Sequence, residues 1–236
     1  MTASAAPAPA FVLGATGFVG REVVRQLGVR ATPCVAHVRP DSQRTAEWVK
    51  RFAELGATVD TSAWDPAPLA QAIDKAKAGA LYILIGTTRA RGKAEQLAGD
   101  IYEQIDYGLT KIAVDAAKAS AAKPRLVYLS GVGADASARG AYLRARGKAE
   151  DCVRGAGLPW VIARPAIITG ERDESRGGER AAAVIGDGLL AVAGVFGGKK
   201  LRARYKSTTP DVLASALIRI AEAPERDRIV DGAELR

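Results

Sequence analysis

At 236 residues, 48% of them apolar and 25% charged, the chain is long enough for one domain with a substantial core and too apolar to be disordered. No apolar run reaches the roughly 20 residues that a membrane-spanning helix needs, so no membrane partner is expected. The balance of 34 Lys and Arg against 26 Asp and Glu, a formal charge of +8, favours acidic ligands.

The basic residues are scattered and are not interleaved with aromatics. The densest cluster, Lys199 to Lys206, reads as a solvated strand edge, where lysines discourage edge pairing, and nucleic acid is not expected as a partner. Cys34 and Cys152 form no CxxC pair and no disulfide framework, which fits a reducing cytoplasm. His37 is the single histidine, so a Ser-His-Asp triad or a Cys/His zinc site is starved of ligands, and no metal is expected. Residues 1–9 are Ala/Pro-rich and resemble neither a secretory signal nor a transit peptide; they read as a flexible tail, with a single domain over 10–236.

Phe11 to Leu13 is a short apolar strand that runs into Gly14, Ala15, Thr16, Gly17, Phe18, Val19 and Gly20 and then into a helix carrying Val19, Val23, Val24 and Leu27 at helical spacing. Such a turn aims backbone N–H groups and the positive helix end at one point, which suits a phosphate. Gly14 permits the tight turn, Gly17 the approach of a pyrophosphate, and Gly20 the close packing of helix on strand.

A second strand covers Pro33 to Val38. A helix over Thr45 to Leu55 has Trp48, Phe52 and Leu55 on one face, and Gly56 ends it. A third strand covers Ala57 to Asp60, and Asp65-Pro66 leads into a helix with Leu69 and Ile73. Leu81 to Ile85 is a fourth strand. The long helix after it carries Ile101, Ile105, Leu109 and Ile112 in register. Strands over Arg125 to Leu129 and Trp160 to Ala163 flank a helix over Gly140 to Arg154. A helix over Glu179 to Val192, a basic strand over Arg202 to Tyr205, a helix over Pro210 to Ala223 and an edge strand at Ile229-Val230 complete the pattern.

Short strands alternating with helices imply an α/β fold with a doubly wound parallel sheet. Its ligand crevice lies at the carboxyl ends of the strands, where Arg39, Asp65, Gly86, Ser130 and Pro165 fall. The residue at the end of the second strand discriminates between dinucleotides: an acidic residue there binds a ribose hydroxyl, and an arginine attracts a 2′-phosphate. Arg39 therefore favours NADP(H) over NAD(H), with Asp41 close by. Tyr142 opens a helix, and Arg146 four residues on shares its face, whereas Lys148 points elsewhere. A cation beside a tyrosine lowers the phenol's pKa and equips it to protonate a carbonyl.

These features are similar to the short-chain dehydrogenase/reductase superfamily in its atypical branch. More narrowly, Gly86-Thr87-Thr88-Arg89, Leu129-Ser130, Gly133-Ala134-Asp135, Tyr142-Leu143, Arg164-Pro165 and Glu174-Ser175-Arg176 resemble the Tat-interacting protein family of NADPH-binding oxidoreductases. The resemblance implies a Rossmann fold, bound NADP(H) and a Ser/Tyr/Lys-type active site. It places the pyrophosphate on Gly14 to Gly20, the 2′-phosphate at Arg39, the adenine by Asp65 and the adenosine ribose over Ile85, Gly86 and Thr87. It also places Pro165, Ile167 and Ile168 along the nicotinamide and Arg176 at a cofactor phosphate.

The catalytic residues it implies are Tyr142 as proton donor, Arg146 on the ribose and Ser130 orienting the substrate oxygen. Two positions depart from the family: Arg146 stands where the motif Tyr-x-x-x-Lys has lysine, and Ser130-Gly131 stands where relatives have paired serines. The expected function is hydride transfer between NADP(H) and a small or medium carbonyl, alcohol or activated double bond, in a monomer or homodimer. The alternative is a non-catalytic NADP(H)-binding redox sensor.

Overall fold

In the computed structural model, residues 7–87, 99–166, 168–169 and 208–236 are described. They form one seven-stranded sheet in the order β3-β2-β1-β4-β5-β6-β7, every neighbouring pair parallel. The strands are β1 Ala10–Leu13, β2 Cys34–His37, β3 Thr58–Asp60, β4 Ala80–Ile83, β5 Arg125–Leu129, β6 Trp160–Arg164 and β7 Arg228–Asp231. The helices are α1 Phe18–Val29, α2 Thr45–Glu54, α3 Pro66–Lys75, α4 Thr110–Ala119, α5 Ala141–Arg154 and α6 Pro210–Glu222, with a π-helical segment, Tyr102–Leu109, running into α4. This is the doubly wound Rossmann arrangement.

The strands are apolar throughout because both faces of the sheet are covered. Side chains alternate along each strand. Val12, Tyr82, Val127 and Val161 enter the layer under α1, α2 and α6. Phe11, Leu13, Leu81, Ile83, Leu126, Tyr128 and Ile162 enter the layer under α3, α4 and α5. The amphipathic spacing of α1 does what its sequence implies: Val19, Val23, Val24 and Leu27 are all buried. On α2, Trp48 and Phe52 stack with ring centroids 5.4 Å apart and seal the β2–β3 edge. The edge strand expected at Ile229-Val230 is present as β7, parallel to β6.

The helix before β5 turns a neighbouring face inward. Its apolar residues Ile101, Ile105, Leu109 and Ile112 are only half-buried, and Asp106, Thr110, Ala113, Val114 and Ala117 form the buried stripe. The buried stripe keeps the 3.6-residue spacing but lies one position on from the row of Ile105, Leu109 and Ile112, which packs partly buried at the border of the core. Asp106, within the π-helical segment, lies on this inward stripe and is fully buried. The helix expected over Glu179 to Val192 and the basic strand over Arg202 to Tyr205 lie outside the described residues, as does the Lys199 to Lys206 cluster.

Candidate active site

The sheet order reverses between β1 and β4, and in open sheets of this kind the crevice above that reversal takes the ligand. The Gly14 turn lies there. Gly14 has φ +78°, and a Cβ on it would stand 2.6 Å from the Leu84 carbonyl oxygen; at Gly20 a Cβ would stand 2.1 Å from the Gly14 carbonyl oxygen. Backbone thus packs on backbone on both sides of the turn, which only glycine allows. Gly17 caps α1 with no side-chain hydrogen bond, and no acidic residue occupies the first turn. The helix start is therefore uncapped by side chains and free of a competing carboxylate, which fits a dinucleotide phosphate.

Arg39 lies just beyond β2, half-exposed, with its Nε 3.8 Å from Asp41. At that distance the pair with Asp41 is weak. Asp65 caps α3 by accepting from the Ala67 N–H at 3.2 Å. Near it, His37 is buried, donates Nε2–H to the Ser62 carbonyl at 2.9 Å and meets the edge of Trp64 at 5.0 Å between ring centroids. Burial pushes its pKa down. His37 is a neutral core residue, as its strand position implies.

Ile85, Gly86 and Thr87 follow β4. Ile85 and Thr87 are buried and Gly86 is exposed. The Thr87 N–H donates to Asp106 Oδ2 at 3.2 Å. Arg146 comes from α5 and reaches underneath. Its Nη1 donates to the Leu129 carbonyl at 2.7 Å and to the Tyr128 hydroxyl at 3.2 Å, and its Nη2 lies 2.8 Å from Asp106 Oδ1. A Cβ on Gly86 would meet that same Nη2 at 2.5 Å, so Gly86 lets the arginine lie directly against the chain. Arg146 Nε makes no hydrogen bond among the described residues, whereas Asp106 Oδ1 is held by the ion pair with Nη2.

Tyr142 is partly buried. The Arg146 guanidinium carbon lies 5.4 Å from its ring centre, and Tyr102 meets it edge-on at 5.5 Å. Its hydroxyl lies over the start of the loop after β5, where a Cβ on Gly131 would come within 3.0 Å of it. The sequence implied that Arg146 would lower the pKa of Tyr142. The net direction is upward, because burial outweighs Arg146 and Asp106 adds a negative charge behind it. Lys148 faces away and pairs with Glu103 at 2.7 Å, as its spacing predicts.

Ser130 does not stand free in the crevice. It is buried, and its hydroxyl donates to Glu150 Oε1 at 2.5 Å. Glu150, fully buried one turn beyond Arg146 on α5, also accepts from Arg164 Nε at 2.8 Å, and Arg164 Nη2 donates to the Ala134 carbonyl at 3.2 Å. The ends of β5 and β6, helix α5 and the loop after β5 are tied together by this cluster. Pro165 is buried and its carbonyl accepts from the Val132 N–H at 3.0 Å. Ile168 is buried beside Thr208, with which it forms a parallel bridge. Ile167 and Arg176, also named from the resemblance, lie outside the described residues, as do Thr88, Arg89, Glu174 and Ser175.

Sequence reasoning passed over Asp106, Glu150, Tyr128 and Tyr102. One signal was available for Glu150: Arg146, Glu150 and Val153 recur at i, i+4 and i+7 on a helix whose other buried positions are Ala and Gly, so two charges lie on an inward face. Asp106 had no such signal.

A family profile described as NAD(P)H-binding matches residues 14–188, beginning at the first glycine of the turn. The chain belongs to this NAD(P)H-binding family. The match reaches that level, one step above the Tat-interacting branch that the motifs resemble. The mitochondrial protein FMP52 of Candida albicans is 33% identical over 183 residues, 75% of each chain. The mitochondrial protein fmp52 of Aspergillus fumigatus is 31% identical over 218 residues, 88% of this chain and 84% of that protein.

Among solved structures, the anaerobilin reductase ChuY of Escherichia coli O157:H7 shares the fold with a TM-score of 0.62 at 18% identity, covering 94% of this chain and 95% of that one. The Bordetella bronchiseptica enzyme WbmH, solved with NAD+, matches at TM-score 0.62 and 17% identity over 95% of this chain and 75% of that one. The mitochondrial designation of the relatives overturns the expectation of a cytoplasmic protein. Cys34 and Cys152 are both free, and unpaired cysteines show only that no disulfide is needed; they do not single out the cytoplasm.

Proposed function

We propose that the chain is an NADP(H)-dependent oxidoreductase that reduces a small or medium carbonyl or activated double bond, and that it works in mitochondria as its FMP52 relatives' names indicate. One observation carries this: the Tyr142 hydroxyl lies at the Gly131 edge of the same strand-end crevice whose β1–α1 turn is shaped for a pyrophosphate. A bound nicotinamide supplies or accepts the hydride. The protein's share is position and a proton. Gly14 to Gly20 hold the phosphates, Arg39 draws the 2′-phosphate, Asp65 lies on the adenine side, and Ile85 to Thr87 form the shelf under the ribose. Pro165 and Ile168 back the nicotinamide end.

Tyr142 donates the proton. A phenol held protonated by burial suits the reductive direction, in which the acid form is needed at the start. Arg146 and Ser130 take supporting roles here. Arg146 fixes the shelf and the tyrosine, and Ser130 fixes the loop beneath Tyr142 through Glu150. Replacing Tyr142 by Phe removes the proton and leaves the ring. Carbonyl reduction should fall by about 10²- to 10⁴-fold while NADPH affinity, read by nucleotide fluorescence, stays the same. Unchanged turnover refutes the assignment.

A second reading, a redox sensor that binds NADP(H) without turnover, is favoured by the commitment of Arg146 and Ser130 to internal partners. NADPH oxidation with any member of a broad carbonyl panel argues against it.

A further inference from the structure

The π-helical segment raises a question that the site leaves open. A π-helical segment of eight residues is rare and such segments are frequent at functional sites, and the one side chain it buries is a carboxylate. Asp106 is wholly inaccessible to solvent, and one oxygen takes the Thr87 N–H while the other lies 2.8 Å from Arg146. Breaking such a pair strands a charge in a medium of low dielectric, so both partners stay together.

We propose that Asp106 is a positioning residue for Tyr142: its carboxylate, buried on the π-helical segment, cancels the Arg146 charge and pins the guanidinium between the Gly86 shelf and the Tyr142 ring. Tyr142 is thereby kept a neutral hydrogen-bond donor, and the arginine at the motif's lysine position serves as a brace. The inference rests on the reading of Tyr142 as proton donor, and its test does not.

The other ionisable groups facing this cluster among the described residues are few. Tyr128 approaches from β5 and shares Arg146. Tyr102 lies on the π-helical segment against Tyr142. Asp100 precedes that segment and faces Arg144 at 3.5 Å. Glu103 and Lys148 neutralise each other at the rim. Asp106 is thus the buried anion closest to Arg146, the cation above which Tyr142 lies.

The test is the tyrosinate absorbance of the cofactor-free protein against pH, with the Tyr142→Phe trace subtracted. In the wild type, Tyr142 should ionise above the ordinary value of 10.0. Asp106→Asn keeps an acceptor for the Thr87 N–H and removes the charge, and it should bring the Tyr142 transition down by at least about one unit. A merely structural role for Asp106 would leave that transition in place. Ionisation of wild-type Tyr142 below 10.0, or an unmoved transition in a folded Asp106→Asn variant, overturns the proposal. If Asp106→Asn does not fold, Asp106→Ser, which also removes the charge, is titrated in its place, and an unmoved Tyr142 transition there overturns the proposal equally. Because neither readout uses nucleotide or turnover, a failed carbonyl screen leaves the result standing, and a failed titration leaves the oxidoreductase reading untouched.

Discussion

Ser130 offers a sharp division between a catalytic and a structural hydroxyl. It is 4% exposed, and its Oγ lies 2.5 Å from a carboxylate oxygen of Glu150, itself 0% exposed. A hydrogen bond to a charged partner contributes about 1.5–3 kcal/mol. Glu150 retains Arg164 when the serine is cut back to alanine, so the carboxylate is not stranded and the loss should fall near about 2 kcal/mol. For a chain of this size each kcal/mol moves Tm by about 2–4 °C, which gives a fall of about 4–8 °C for Ser130→Ala. Turnover per folded molecule should drop by no more than about threefold, far less than the 10²–10⁴ that a general acid or its direct partner supplies. Thermal unfolding and carbonyl reduction measured on the same preparation decide the matter. A variant with unchanged Tm and turnover reduced about a hundredfold or more would refute the structural role and return Ser130 to the reacting centre.

Two further outcomes follow from the same geometry. Arg39→Ala should weaken NADPH binding by about tenfold, the low end for a charge-assisted phosphate contact because the guanidinium is half-exposed, and leave NADH binding unchanged; equal losses for both nucleotides would remove Arg39 from the 2′-phosphate. Stability should also decline in alkali. Burial pushes Tyr128 up to about 12 from an ordinary 10.0. Both states are protonated below pH 10, and above it the unfolded chain ionises first, so stability present below pH 10 is lost as pH rises towards about 12. Urea unfolding on either side of pH 10 reads this, with a shallower decline expected for Tyr128→Phe; equal slopes would locate the effect elsewhere.

What could be read in advance followed local rules. The β1–α1 turn was legible because its glycines, its strand and its helix lie within about twenty residues and each obeys a steric requirement. The strands were legible because a parallel sheet covered on both faces needs unbroken apolar runs. The site chemistry was less so. Arg146 was correctly placed on the Tyr142 face, but its charge is answered by Asp106, forty residues earlier and on another element. Ser130 looked like a crevice hydroxyl from its strand-end position, yet the partner that claims it, Glu150, comes from the next helix. Helical spacing put Ile101, Ile105, Leu109 and Ile112 in one row, and the fully buried row is the one beside it, which includes Asp106. Such pairings depend on how elements meet in space, which local periodicity does not encode.

The wide turns of Tyr102–Leu109 also bear on how this chain can vary in length. Losing one residue there would restore ordinary winding and leave the hydropathy profile nearly unchanged. The flanking helix would keep its facing, because the wide turn is what absorbs the extra residue, and only the residues within the turn would change place. An alignment would score such a gap as harmless. In the folded chain it changes which side chains lie beneath the crevice, so the length of this segment, as much as any residue in it, belongs to the site.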